Sequence, residues 1–363
     1  MLIGVFSPII NWCGGAELVA INIINSLKEN GHQVIVLTNH PLNQDKFSKV
    51  FNETVSVDKQ LIFPLEFFPQ TDYHNIYTDA IRSLILKSKC EVLIDTYSNA
   101  FLPGMDACYI HYPLLKKIET LPHRMRNRLY FMPYESFLNS RRRDVNDKLF
   151  FANSKFTANA VKIEFGLSPH ILYPPVSTAI LNQNRTESTE QRDNNVITVS
   201  RISKEKNLKI IPYIAKLTNN ISFTIAGLLD SPHEYNSLLM TIKELGVSDK
   251  VKILPNVKRN QLRGILRNSK VYLHTSVNEH FGISIVEGMA SGCVPIVHNS
   301  GGPKEFVPDL LRYEKIEEAA QKIDKAIENW SPKEAYNISK YAQKFSENNF
   351  SERFVKIFSS YYN

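Results

Sequence analysis

The stretch from Val271 to Val307 constrains this chain more than any other. Val271–Thr275 is an apolar and β-branched run fit for a buried strand, and it ends in a polar loop that carries Glu279. A helix then opens near Phe281-Gly282, carries Glu287 on its second turn and stops at Gly292. Val294–His298 is a second strand, followed by a Gly301-Gly302-Pro303 loop. Strand, loop, helix, strand and loop in this order form a βαβ unit of an open α/β sheet, where ligands collect at the carboxyl ends of the strands. Unpaired N–H groups at a helix start favour a phosphate, and carboxylates accept hydrogen bonds from sugar hydroxyls. Such a pocket suits a nucleotide sugar; an ordinary crossover with a solvated pair of glutamates is the competing reading.

The same rhythm runs through the chain twice. Leu2–Phe6 reads as a first buried strand, and Gly14-Gly15-Ala16-Glu17 opens a helix whose Leu18, Ile21, Ile24 and Leu27 recur at helical spacing. Asn30-Gly31 closes that helix, and His32–Thr38 is the next strand. The glycines do not match the G-x-G-x-x-G dinucleotide fingerprint, which argues against a dehydrogenase. Further strands are expected at Glu91–Asp95, Ala107–His111 and Lys148–Asn153. His111 ends its strand, where ligands bind, although a histidine there can equally satisfy a structural hydrogen bond. Ser154 is placed to cap the helix that follows.

After Ile171–Val176, which carries two prolines, a polar run from Asn182 to Asn195 marks the best domain boundary. Strands at Val196–Val199, Ser222–Ala226 and Val251–Leu254 then alternate with helices at Asn207–Leu217, His233–Leu245 and Gln261–Ser269. Arg201 and Lys206 fall between the first of these strands and its helix, where a guanidinium and an ammonium can clamp a diphosphate. Three helices close the chain, and the last presents Phe354, Ile357, Phe358 and Tyr361 on one side for docking. The expected division is an acceptor-binding domain at 1–177, a nucleotide-sugar-binding domain at 178–345, and a terminal helix at 346–363 that returns to the first domain.

Charge is concentrated between Pro113 and Asp147. Lys116, Lys117, Arg124, Arg126, Arg128, Arg141, Arg142 and Arg143 stand there against four acidic residues, which supplies more than half of the net charge of +7. Leu129, Tyr130, Phe131, Met132, Tyr134 and Phe137 are interleaved. Basic residues mixed with aromatics suit an anionic membrane interface, and they also suit stacking on single-stranded nucleic acid. A solvated helical face over a few core aromatics explains the same pattern. The charge is local and no reader motif accompanies it, so nucleic acid is not expected as a partner. Cys13, Cys90, Cys108 and Cys293 are scattered without a C-x-x-C pair, and they read as reduced thiols in a cytosolic protein with no metal site. The N-terminus lacks the features of a signal peptide, and no apolar run approaches the ~20 residues of a spanning helix.

Taken together, these residues resemble the retaining glycosyltransferases of family 4. The carrying motif is Glu279-x7-Glu287 in the setting EHFGISIVEGMASGCVPIVHNSGGPKEFV, with Arg201/Lys206, Gly14-Gly15-Ala16-Glu17, His111 and Ala152-Asn153-Ser154 in the expected order. The resemblance covers essentially the whole chain. Within the family, EHFG, HNSGGPK, CYIHYP and LYPPV look most like the mannosyltransferases that extend lipid-linked oligosaccharides on a cytosolic membrane face. It implies an α/β protein of GT-B fold, two doubly wound Rossmann-like domains facing across a cleft. The reaction it implies is transfer of a hexose, mannose favoured, from a nucleotide diphosphate sugar such as GDP-mannose to a polyprenyl-diphosphate-linked glycan. Family likeness assigns Arg201 and Lys206 to the leaving diphosphate, with the backbone of Phe281, Gly282 and Ile283. It assigns Glu287 to the ribose, Glu279 and His111 to the moving sugar, and Gly14 and Gly15 to closure over the phosphates. The basic residues listed above would form an acceptor and membrane shelf, making the protein peripheral on the cytoplasmic face. No cofactor and no metal are expected, since protein cations take the role of a metal and no D-x-D motif is present. Ala226-Gly227-Leu228-Leu229 departs from the family's G-x-G. Alternatives of other classes are transfer of glucose or N-acetylglucosamine from a UDP-sugar, a sugar-nucleotide epimerase or hydrolase, and a non-catalytic nucleotide-sugar-binding protein.

Overall fold

The computed structural model describes residues 1–64, 75–119, 124–177 and 192–362. The chain divides into two compact units, Met1–Pro175 with Glu347–Asn363, and Val176–Ser346.

The first unit is built on a parallel sheet of β1 (Leu2–Phe6), β2 (Gln33–Thr38), β3 (Lys59–Ile62), β4 (Val92–Asp95), β5 (Ala107–Ile110), β6 (Leu149–Ala152) and β7 (His170–Ile171). Their order across the sheet is β3-β2-β1-β4-β5-β6-β7, so the winding reverses between β1 and β4. Period-two alternation sends Ile3 and Val5 into one core and Phe6 with Leu37 into the other, and both faces are buried. The Gln44–Phe51 and Ile76–Lys87 helices and β3 have no counterpart in the sequence reading. The last strand of this sheet, His170–Ile171, is only two residues long, and Pro174 and Pro175 follow it.

The terminal helix, Glu347–Tyr362, belongs to this first unit. Phe350, Phe354 and Phe358 recur every four residues, stack on one another and enter the same core as Leu18, Ile21 and Ile24. Ser26 Oγ donates to Ser351 Oγ at 2.8 Å, and the Tyr362 hydroxyl to the Asp106 carbonyl at 2.7 Å.

The second unit repeats the plan with β8 (Asp193–Val199), β9 (Ser222–Gly227), β10 (Val251–Pro255), β11 (Ser269–His274), β12 (Val294–His298) and β13 (Arg312–Tyr313). Here the order is β10-β9-β8-β11-β12-β13, again parallel, with the reversal between β8 and β11. The polar run expected as a boundary lies outside the described residues up to 191, and β8 begins at Asp193, within its end. Among the described residues no helix is long and apolar enough to cross a membrane.

Candidate active site

Reversal of strand order leaves the loops after β8 and β11 side by side at the carboxyl edge of the second sheet, the position at which such sheets bind ligands. The loop after β8 carries Arg201 and Lys206, and the loop after β11 carries Glu279. Thr275 ties the two together: its hydroxyl donates to the Lys206 carbonyl at 2.6 Å, and its own carbonyl accepts from Asn207 Nδ2 at 3.5 Å. Asn207 and Asn278 both stand in the left-handed region, at φ 50° and 55°, a conformation asparagine tolerates better than most residues. Each sets the direction of the charged residue next to it.

Glu279 is the centre of the arrangement. Its Oε2 accepts from Lys206 Nζ at 2.8 Å and from His274 Nε2 at 3.1 Å, while Oε1 accepts from its neighbour's backbone, His280 N, at 3.2 Å. Burial alone would raise the carboxyl, but the His274 hydrogen bond and the Lys206 charge outweigh it and hold the group well below the usual carboxylate range. An ionised carboxylate only accepts, so His274 must carry its proton on Nε2. His274 is buried, and its Nδ1 has no hydrogen-bond partner among the described residues. Sequence reasoning read this residue as the end of a strand and missed it. The available signal was a histidine five residues before the first glutamate of the motif.

The glycine pair after β12 has a steric cause. Gly302 N donates to the Glu279 carbonyl at 2.8 Å, and a Cβ on Gly302 would stand 2.1 Å from the His280 carbonyl oxygen. Gly301, at φ 71°, would place a Cβ 2.2 Å from the Glu279 oxygen. The glutamate loop therefore rests on a floor of bare backbone. The Phe281 ring is buried against Phe306 and Phe345. Gly282, at φ 92°, starts the Ile283–Ala290 helix. That helix lies close on β11, since a Cβ on Gly288 would meet the Tyr272 ring at 2.4 Å. Glu287, on the second turn, accepts from Arg259 Nη2 at 3.2 Å. Burial raises its carboxyl, and the guanidiniums of Arg259 and Arg263 pull the other way. Neither arginine was singled out from sequence; they sit 28 and 24 residues before Glu287, and only the fold joins them.

Arg201 stands apart from this cluster. It is exposed, and its guanidinium reaches Glu205 at 3.1 Å and Asp230 at 3.4 Å. Its position depends on Gly227, at φ 151°, because a Cβ there would lie 1.8 Å from the Ser200 oxygen. Within the segment that departs from the family's G-x-G, Gly227 is thus required by close approach to the residue before Arg201.

In the first unit, Gly14 is the N-cap of the Gly15–Glu29 helix, and its N–H is taken by Glu17 Oε2 at 2.7 Å. An acid of the chain itself occupies that helix start. His111 directly follows β5. Its N–H donates to Asn99 Oδ1 at 2.6 Å, its carbonyl accepts from Asn153 and Thr157, and its Nε2 lies 3.3 Å from the Thr96 carbonyl. Ser154 caps its helix by accepting from Thr157 N.

The basic residues are spread over three helices, Leu114–Glu119, Arg124–Ser140 and Arg142–Asn146. Lys116 pairs with Glu119 and Arg141 with Asp144; Lys117, Arg126, Arg128 and Arg143 are exposed. The side chains of Arg124 and Arg142 lie outside the described residues. The interleaved aromatics follow the reading of a few core residues beneath a solvated face. Phe131 and Tyr134 are buried in the core and Tyr130 and Phe137 pack against it, because positions 131, 134 and 138 form the inward stripe of their helix. What remains outside is Met125, Leu129 and Met132, at 79%, 64% and 56% exposure.

Comparison with known proteins agrees with this geometry. Residues 13–180 match the model of Glycosyltransferase Family 4, and residues 182–345 match that of Glycosyl transferases group 1. The chain is 26% identical to the GDP-Man:Man(3)GlcNAc(2)-PP-Dol alpha-1,2-mannosyltransferase of Dictyostelium discoideum, over 98% of this chain and 83% of that protein. The mouse protein of the same name is 30% identical over 43% of this chain and 35% of its own length. A solved structure of the Anabaena protein HepE in complex with UDP and glucose superposes with a TM-score of 0.71 at 17% identity, covering 99% of this chain and 100% of that one. A glycosyltransferase from Rickettsia africae gives the same TM-score at 16% identity, over 99% and 98%. With one family matched in each half and the GT-B fold throughout, the chain belongs to the glycosyltransferases of family 4 and group 1.

Proposed function

We propose that this chain transfers a mannosyl residue, with retention, from GDP-mannose to a glycan carried on a polyprenyl diphosphate. The observation that carries the reading is Glu279 held ionised between Lys206 and His274 at the point where strand order reverses. A carboxylate fixed by three donors keeps acceptor capacity for a sugar hydroxyl, and the ammonium beside it is placed to meet the oxygens of a leaving diphosphate. Glu287 is assigned to the ribose. Because Glu279 Oε2 is already occupied by two donors, it is a poor nucleophile, which supports a front-face displacement in which the departing phosphate takes the acceptor's proton. Arg201 and Lys206 supply the positive charge in this scheme, and we propose that no metal is needed. His111 is given a part in sugar contact on the strength of its place at the end of β5. The names of the relatives support mannose and the lipid-linked acceptor.

The exposed Met125, Leu129 and Met132, with Arg126 and Arg128 on the same helix, support a peripheral docking of the first unit on anionic lipid. The test incubates the purified chain with GDP-mannose, EDTA and vesicles bearing a polyprenyl-diphosphate-linked glycan. The expected product is a glycan one mannose longer and sensitive to an α-mannosidase. Free mannose or an epimerised nucleotide sugar, formed without acceptor, would refute transfer. Binding to anionic vesicles should fall several-fold on Leu129→Ser with Met132→Ser, and also in high salt. Unchanged binding would remove the membrane from the proposal.

A further inference from the structure

Glu287 is flanked by more positive charge than a ribose requires. Arg259 opens the Arg259–Asn268 helix and donates Nη2 to Glu287 at 3.2 Å. Arg263 lies one turn further along the same helix, hence on the same side, and its charge also acts on Glu287 and on Arg259. Two guanidiniums around one carboxylate leave a positive charge in surplus. The Nε atoms of both arginines are buried with no hydrogen-bond acceptor among the described residues. Both side chains are half-buried, so desolvation has been incurred for donors that the protein itself does not use.

We propose that Arg259 and Arg263 are the base-reading residues of the donor site, and that they select guanine by its acceptor edge. The inference rests on the assignment of Glu287 to the ribose. A base attached to that ribose must project past the groups that flank Glu287. Guanine offers two adjacent acceptors, O6 and N7, which match the planar fork of a guanidinium. Adenine replaces O6 by an amino donor, which a guanidinium repels, and cytosine presents an amino donor as well. A uracil-like edge has a single carbonyl acceptor and no N7. On this edge, guanine alone among the four bases presents two adjacent acceptors to the fork.

Isothermal titration of the full chain with GDP, UDP, ADP and CDP, without sugar or acceptor, tests this directly. The unmodified chain should bind GDP at least about tenfold more tightly than the other three, within the range set by one good bidentate contact. Arg263→Leu should weaken GDP about tenfold and leave UDP within about twofold, so UDP binding also reports that the site is still folded. Arg259→Lys with Arg263→Lys keeps both charges but removes both forks, and it should erase the preference for GDP. A uniform loss across all four nucleotides in the lysine variant would overturn base reading and reduce the arginines to supports of Glu287. Tightest binding of UDP or ADP by the unmodified chain would overturn the guanine assignment alone. Failure of every nucleotide to bind would refute the nucleotide-sugar reading together with this one.

Discussion

Replacing Lys206 with Met removes one donor from Glu279 Oε2 while keeping the length and packing of the stem. At 2.8 Å the direct attraction amounts to about 6 kcal/mol for an effective dielectric near 20. The two side chains retain 20% and 16% of their exposure, and His274 still donates to the same oxygen. Those terms bring the net cost of the broken pair to roughly 2 to 3 kcal/mol. The ammonium also faces the proposed leaving diphosphate, where deleting one preorganised donor lowers turnover by about 10²- to 10³-fold. Initial rates with labelled GDP-mannose should therefore show kcat/KM reduced by at least about 100-fold. The pH profile should change as well. Burial pushes Glu279 up, and His274 with the His280 N–H would oppose it without the Lys206 charge, so the carboxyl protonates at higher pH and the acid limb of activity moves upward. Lys206→Arg should recover part of the rate, because it keeps the charge. A kcat/KM within threefold of the unmodified chain, with the acid limb unmoved and circular dichroism unchanged, would refute both the assignment and the electrostatics behind it.

Three further outcomes follow from particular residues. Burial pushes Glu164 up to about 8, although its oxygens accept from the backbone of Leu115 and Lys116. A group raised on folding contributes stability that is full below its unfolded pKa of ~4.5 and is lost as pH rises through the folded value. Glu164→Gln should therefore gain on the unmodified chain by about 3 to 5 kcal/mol between pH 4.5 and 8, read as diverging thermal transitions of the first unit; a difference independent of pH would contradict the shift. Gly302→Ala must displace the Glu279 loop, because the added carbon meets backbone at 2.1 Å, and it should abolish donor binding while far-ultraviolet circular dichroism stays native. Gly264→Ala, on the helix that carries Arg259 and with nothing within 4 Å, should instead stabilise by about 0.5 to 1 kcal/mol without touching binding.

Local signals were enough for much of this chain. Val294–His298 comes out of the local pattern with its observed bounds, because an apolar, β-branched run after Gly292 marks it without tertiary help. The Gln44–Phe51 helix buries only Phe47 and Phe51, and β3 is only partly buried, so neither left a strong pattern. The site divides along the same line. Glu279, Glu287, Arg201 and Lys206 are recognisable by spacing and loop position, whereas His274, Arg259 and Arg263 acquire meaning only from neighbours brought in by folding. Phe131 and Tyr134 settle a choice left open by the sequence: the density of arginine around their stripe suited a surface and a few core aromatics equally, and the fold puts both rings in the core.

The pairings of the second unit also order what must move when a donor arrives. Arg201, Lys206 and Arg259 are each held by a carboxylate of the same unit: Glu205 with Asp230, Glu279, and Glu287. A diphosphate brings further negative charge to a site whose cations are already engaged, so its affinity depends on which pairs yield. The Arg201 pairs are the most exposed, with more than half of the Arg201 side chain in water, and such contacts contribute little. Arg201 is therefore free to turn toward a diphosphate at small cost. Lys206 and Arg259 are more enclosed, and releasing either would leave a half-buried carboxylate without its cation. On the proposed reading they stay where they are and share their charge with the substrate. The fixed pairs act as the preorganised part of the site, and Arg201 is the part that closes. Substitution of Arg201 should then weaken donor binding with a strong dependence on ionic strength, while substitution of Lys206 should act mainly on turnover and persist at high salt.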